Sequence, residues 1–76
     1  MNLREFITNY VAHNTLVRVW KKEGGCHRLL GNGPSMEWEI LKGKVEESKY
    51  LDNKVKHVTD ILCENYHEAV NIVIEI

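Results

Sequence analysis

Ala69-Val70-Asn71-Ile72-Val73-Ile74-Glu75-Ile76 is the stretch whose reading decides the fold. Val70, Ile72, Ile74 and Ile76 recur at every second position, with no glycine or proline among them. β-branched residues in strict alternation, without a breaker, predict a buried β-strand. A strand of this kind needs partners on its edges and a layer against its apolar face, so the rest of the chain must supply both.

Working backwards, residues 55–63 alternate as Val58, Asp60 and Leu62 against His57, Thr59, Ile61 and Cys63, which predicts a second strand. Residues 64–68 then form the turn between the two. Residues 43–53 are polar and aperiodic and are expected to form the long loop, pinned by Tyr50 and Leu51. Met36, Trp38 and Ile40 alternate with Glu37 and Glu39, so residues 36–42 read as a strand. Gly31-Asn32-Gly33-Pro34 reads as a break, and Gly24-Gly25 as a turn. Between them residues 26–30 form a short return strand. Residues 15–21 are β-branched and alternate, with Thr15, Val17 and Val19 toward the core and Leu16, Arg18 and Trp20 on the other face.

The N-terminus departs from this pattern. Leu3, Phe6, Ile7, Tyr10 and Val11 fall at i, i+3, i+4, i+7 and i+8, the stripe of an amphipathic helix. Asn2 is a good N-cap with Glu5 three residues later, as in a capping box, and Asn14 suits a left-handed ending. The helix is expected over residues 2–13. The fold class is therefore α+β: an N-terminal helix packed on a mostly antiparallel sheet of four or five short strands, in a single small domain over residues 1–76. The antiparallel expectation follows from connections too short for crossover helices.

Seventy-six residues bound the core. A chain of this length buries only about 60% of its unfolded surface, and self-association is one route to more. Cys26 and Cys63 allow at most one disulfide. Residues 1–11 are amphipathic and not an apolar leader, and no apolar run reaches the roughly 20 residues of a membrane span. Free thiols in a reducing cytosol are the expectation. The net charge of −1 predicts no bulk electrostatic partner, but its distribution is uneven. Arg18, Lys21, Lys22 and Arg28 cluster against one acid, Glu23, whereas Asp60, Glu64, Glu68 and Glu75 follow the last cation, Lys56.

Cys26, His27, Cys63 and His67 are the metal-ligand types, and Cys63-x-x-x-His67 has finger-like spacing. Adjacent strand residues point to opposite faces, so Cys26 and His27 do not chelate one ion together. No metal or other cofactor is expected. Cys26 with His27 or His13 supplies the types for nucleophilic catalysis without a recognisable setting. Glu37 and Glu39 share a strand face and form a carboxylate pair there, which reads more simply as a solvated face. No phosphate loop, dinucleotide fingerprint or nucleophile elbow occurs, so no catalytic residue is assigned and an enzyme is not expected. Aromatic and cationic residues do fit a small pocket: Trp20, Trp38 and Tyr50 to stack a base, Arg18, Lys21 and Arg28 to hold phosphate. Tryptophans in so small a domain more often serve as core filler.

Leu3-Arg4-Glu5-Phe6-Ile7, residues 13–20 (His-Asn-Thr-Leu-Val-Arg-Val-Trp), residues 36–41 (Met-Glu-Trp-Glu-Ile-Leu), Val58-Thr59-Asp60-Ile61-Leu62 and residues 68–75 together resemble a group of small orphan proteins of Firmicutes phages, prophages and mobile elements. The resemblance spans most of the chain outside residues 22–35 and 43–54 and carries no site residue with it. It implies a phage-encoded accessory protein acting in the host cytoplasm against host immunity. Two modes follow. The first is a sponge, a homo-oligomer that sequesters a nucleotide-type signal such as a cyclic nucleotide or an ADP-ribose derivative. The second is an inhibitor, like an anti-CRISPR protein, that docks on a defence nuclease through the acidic C-terminal half. Neither a membrane nor duplex nucleic acid is an expected partner.

Overall fold

A computed structural model describes residues 1–41, 47–62 and 68–76. Its elements run α1 (Leu3–Tyr10), β1 (Leu16–Glu23), β2 (Cys26–Pro34), α2 (Ser35–Ile40), a 3-10 helix (Glu47–Asp52), β3 (Val55–Leu62) and β4 (Glu68–Ile74). The strands form one sheet in the order β2-β1-β4-β3. The architecture is α+β, with the N-terminal helix on a four-stranded sheet.

The C-terminal strand is central. β4 pairs antiparallel with β3 and parallel with β1, while β1 and β2 form an antiparallel hairpin. The sheet is thus mixed, with the parallel contact between the two inner strands. Adjacent connections are indeed short, but β1 and β4 are far apart in sequence, and the intervening segment carries α2 and the 3-10 helix. That is the long crossover a parallel pair requires.

Alternation on the inner strands sorts the two faces. Val17 and Val19 on β1, with Ile72 and Ile74 on β4, point under the helices and are buried together with Leu3 and Ile7 of α1, Trp38 of α2 and Leu51. Each such aliphatic side chain contributes about 1.5–3 kcal/mol on full burial. α1 keeps the expected capping box: the Glu5 N–H donates to Asn2 Oδ1 at 2.9 Å, and the Asn2 N–H to Glu5 Oε1 at 3.3 Å. The helix ends earlier than its stripe suggests, at Val11, which is extended. Asn14 is left-handed (φ 66), but in the turn that follows, where the Thr15 N–H reaches the Ala12 carbonyl at 3.1 Å.

Two expectations are corrected. Residues 36–42 are not a strand: Ser35–Ile40 is helix α2. Pro34 stands at its N-cap with φ −61, Glu37 lies in its first turn, and the Ser35 hydroxyl donates to the Ala12 carbonyl at 2.9 Å. Proline preset for helix entry and an acid beside the positive end of the helix dipole both favour this start. Five alternating residues are too few to distinguish a period of 2 from one of 3.6. Glu37 and Glu39, two apart on a helix, therefore do not face one another. Residues 31–34 are not a break either, since β2 runs through them to Pro34. These glycines provide room. A Cβ on Gly31 would collide with the buried Trp38 ring, lying 2.7 Å from Cζ2 and nearer still to Cη2, and one on Gly33 would lie 2.8 Å from Glu37 Oε2. The register slips between Val19 and Trp20, leaving Leu30 as the bulged residue just before Gly31.

Gly31→Ala is expected to destabilise the fold by about 1–3 kcal/mol through overpacking against Trp38. Trp38→Phe in the same chain should recover part of that loss, whatever its own cost. Urea unfolding of the two single variants and the double variant gives the coupling. Additive losses would show that Gly31 does not serve to seat the indole.

Candidate functional site

The six residues assigned to ligand binding from sequence fall in three places. Arg18 and Trp20 sit on the face of β1 opposite Val17 and Val19, the face that α1 and α2 leave uncovered. Lys21 and Arg28 are paired across the β1–β2 hairpin on the helix-covered side, beyond the end of the core, where both approach Glu23 (3.5 and 3.8 Å). Trp38 is 2% exposed and belongs to the core. Tyr50 is half-buried against that core, with the Lys49 ammonium 5.2 Å from its ring centroid. Trp38 therefore fills the interior and is not a stacking platform, and the six do not line one pocket.

Trp20 has a defined structural partner. Its Nε1–H donates to Asn71 Oδ1 at 2.9 Å, across the β1–β4 pairing. Asn71 is 4% exposed although it lies on the uncovered face, and its Nδ2 makes a long 3.5 Å contact to the Ala69 carbonyl. A buried amide is tolerated here because the indole satisfies it.

A cleft of about 660 Å³ opens at one end of the sheet, lined by Lys21, Lys22, Lys54, Lys56, Asn53 and Glu75 among others. The topology builds it. β1 and β4 run parallel and β3 runs against them, so Lys21 at the end of β1 and Val55 at the start of β3 flank the same residue, Ile74. Lysines distant in sequence are thereby brought to one rim. The backbone carrying Lys54 is held from both sides. The Val55 N–H donates to the Met1 carbonyl at 2.9 Å, and the Leu3 N–H to the Asn53 carbonyl at 2.9 Å. On the other side the Glu75 N–H donates to the Lys54 carbonyl at 2.8 Å, and Asn53 Nδ2 to the Glu75 carbonyl at 2.7 Å.

The charges of the cleft do not cancel. Asp52 is engaged by Arg4 of α1 at 2.9 Å, and Lys21 by Glu23. Among the described residues, Lys22, Lys54 and Lys56 have no carboxylate within ion-pair distance. Against these three ammonium groups stands one further lining side-chain carboxylate, Glu75, so positive charge is in excess around the concavity and raises the local concentration of anions. Lys21 and Lys22 belong to the basic cluster visible in the sequence. Lys54 and Lys56 do not, and the signal that would have added them was their spacing at the mouth of a strand, useless without the strand order. The acidic residue Glu64 lies outside the described residues, as do Cys63 and His67.

Comparison with protein-family models, with curated proteins and with solved structures finds no match for the chain. The site must be read from its own geometry.

Asn71→Ala is expected to leave the part-buried indole N–H of Trp20 without its acceptor and to cost about 1–3 kcal/mol. Urea unfolding measures the loss, and the fluorescence of Trp20 should change with it. An unaltered unfolding midpoint would mean the bond contributes nothing net.

Proposed function

We propose that this chain is a non-enzymatic binding protein that captures a phosphate-bearing small molecule of nucleotide type in the lysine cleft. The observation that carries this reading is the convergence of Lys21, Lys22, Lys54 and Lys56, from two segments distant in sequence, on one cleft. Its volume falls within the range of small-molecule sites, about 300–1,000 Å³. Ammonium groups are point-charge donors suited to phosphate oxygens, and each charge-assisted hydrogen bond contributes about 1.5–3 kcal/mol.

Two features support capture over transient contact. The backbone at Asn53 and Lys54 is already tied down, so less ordering remains to oppose binding. Trp20 and Lys22 lie on the same face of β1, two residues apart, so a base resting on the uncovered face and a phosphate at the rim are compatible placements. In the phage setting that the sequence resemblance implies, the protein would act in the host cytoplasm as a sponge. It would lower the free concentration of a nucleotide-type immune signal without transforming it, and an oligomer would multiply the sites.

Native mass spectra of the protein, alone and with ADP-ribose, linear nucleotides and cyclic nucleotides, test this. A stoichiometric adduct with one member of the panel is expected, lost in the Lys54→Glu/Lys56→Glu variant while its far-UV circular dichroism is unchanged. Affinity should also fall as salt rises, since the lysines are exposed to screening. A ligand-free species across the panel would overturn the proposal, as would undiminished binding by the double variant.

A further inference from the structure

The two edge strands of the sheet each carry one exposed histidine, and the rings meet. His27 is on β2 and His57 on β3, with β1 and β4 between them. Three interstrand steps separate these strands, about 14 Å in a flat sheet. The ring centroids are nevertheless 6.5 Å apart, edge to face, at an interplanar angle of 86°. Register explains how. His57 pairs with Val73, Val73 with Trp20 and Trp20 with Leu29, so His27 lies two residues further along β2, on the diagonal. In a twisted sheet the two corners of one diagonal rise toward the same face. Here they rise over the face the helices leave uncovered.

From this juxtaposition we propose that His27 and His57 form a binding site for a divalent transition-metal ion of the zinc type, closing the sheet edge to edge. Imidazole nitrogen is the ligand type such ions share. An ion about 2.0–2.1 Å from a ring nitrogen lies about 3.2 Å from that ring's centroid, so two histidines on one tetrahedral ion have centroids about 5.2 Å apart. Both side chains are exposed and have room for the small closure this requires. Two protein ligands leave the remaining positions to water. No further histidine, cysteine or carboxylate completes a group of three among the described residues. Lys22, paired with His27, opposes the ion's charge and keeps the affinity modest. Cys26 precedes His27 on the strand and points to the other side, so it is not part of the site. The site also differs from the Cys26, His27, Cys63 and His67 set considered from sequence, because His57 replaces the last two.

Calorimetric titration with zinc chloride tests the proposal on the whole chain and on His27→Ala, His57→Ala, Cys26→Ser and Cys63→Ser. One equivalent should bind the wild type and raise its thermal midpoint. Each histidine variant should weaken binding beyond the roughly 10–100-fold typical of losing an outer-shell partner. Cys26→Ser and Cys63→Ser should bind as the wild type does. Circular dichroism checks that the variants remain folded; His27, His57 and Cys26 are exposed. Absence of zinc binding by the wild type would overturn the proposal. So would undiminished binding by either histidine variant, or loss of binding in a cysteine variant.

Discussion

The parallel pairing of β1 with β4 is the contact on which the remainder of the molecule depends. It places Val17 and Val19 beside Val70 and Ile72, and so creates the apolar floor on which α1 and α2 rest. It also fixes direction. Once β1 and β4 end together, the antiparallel β3 must begin where they end, and residues 52–56 must arrive at the rim that already holds Lys21 and Lys22. The cleft is a consequence of strand order before it is a property of any residue. The same order separates the edge strands by two inner strands, and twist then returns their outer corners to each other as His27 and His57.

Elements with a long, uniform pattern were legible in the sequence. The α1 stripe, its capping box, the alternation of β1 and the apolar C-terminal strand all have their expected type, because each buries a periodic face and local preference agrees with tertiary demand. Tyr50 and Leu51 do pin the segment before β3, since Leu51 is fully buried. The stretch from Gly31 to Ile40 was not legible. Its glycines speak for a turn by local propensity, yet they stand in a strand, Gly31 because a tryptophan ring seven residues later needs its missing side chain. Its alternation speaks for a strand, yet it forms a helix that buries Ser35 and Trp38, with Trp38 as its apolar contribution to the core. Both misreadings have one cause: the Gly31–Trp38 contact is a packing fact with no local signature.

The candidate site was legible in kind but not in place. A small basic cluster near the end of β1 could be read directly, and Lys21 and Lys22 do line the cleft. Sequence proximity then grouped Arg18, Trp20, Lys21 and Arg28 as though one surface carried them all. Period 2 divides them: Arg18 and Trp20 face away from the helices, whereas Lys21 points to the opposite side, beyond the core, and is drawn to Glu23 with Arg28. Lys54 and Lys56 could not be added without knowing that β3 starts beside the end of β1.

α1 and α2 cover one face of the sheet, and the way the described residues shield the other bears on what it can bind. Asn71 and Val73 are nearly buried there, although neither α1 nor α2 lies above them. Trp20 accounts for much of this, because its hydrogen bond to Asn71 lays the indole along the inner strands. An indole so engaged offers a rigid edge at low entropic cost but cannot swing out to clamp a ligand on both sides. Any base it receives must stack on the exposed part of the ring, and the larger share of affinity must then come from the charged rim. That division assigns retention to the lysines and orientation to Trp20. A net charge of −1 does not oppose the proposed anion site, because local geometry, and not the total, sets the potential at the cleft.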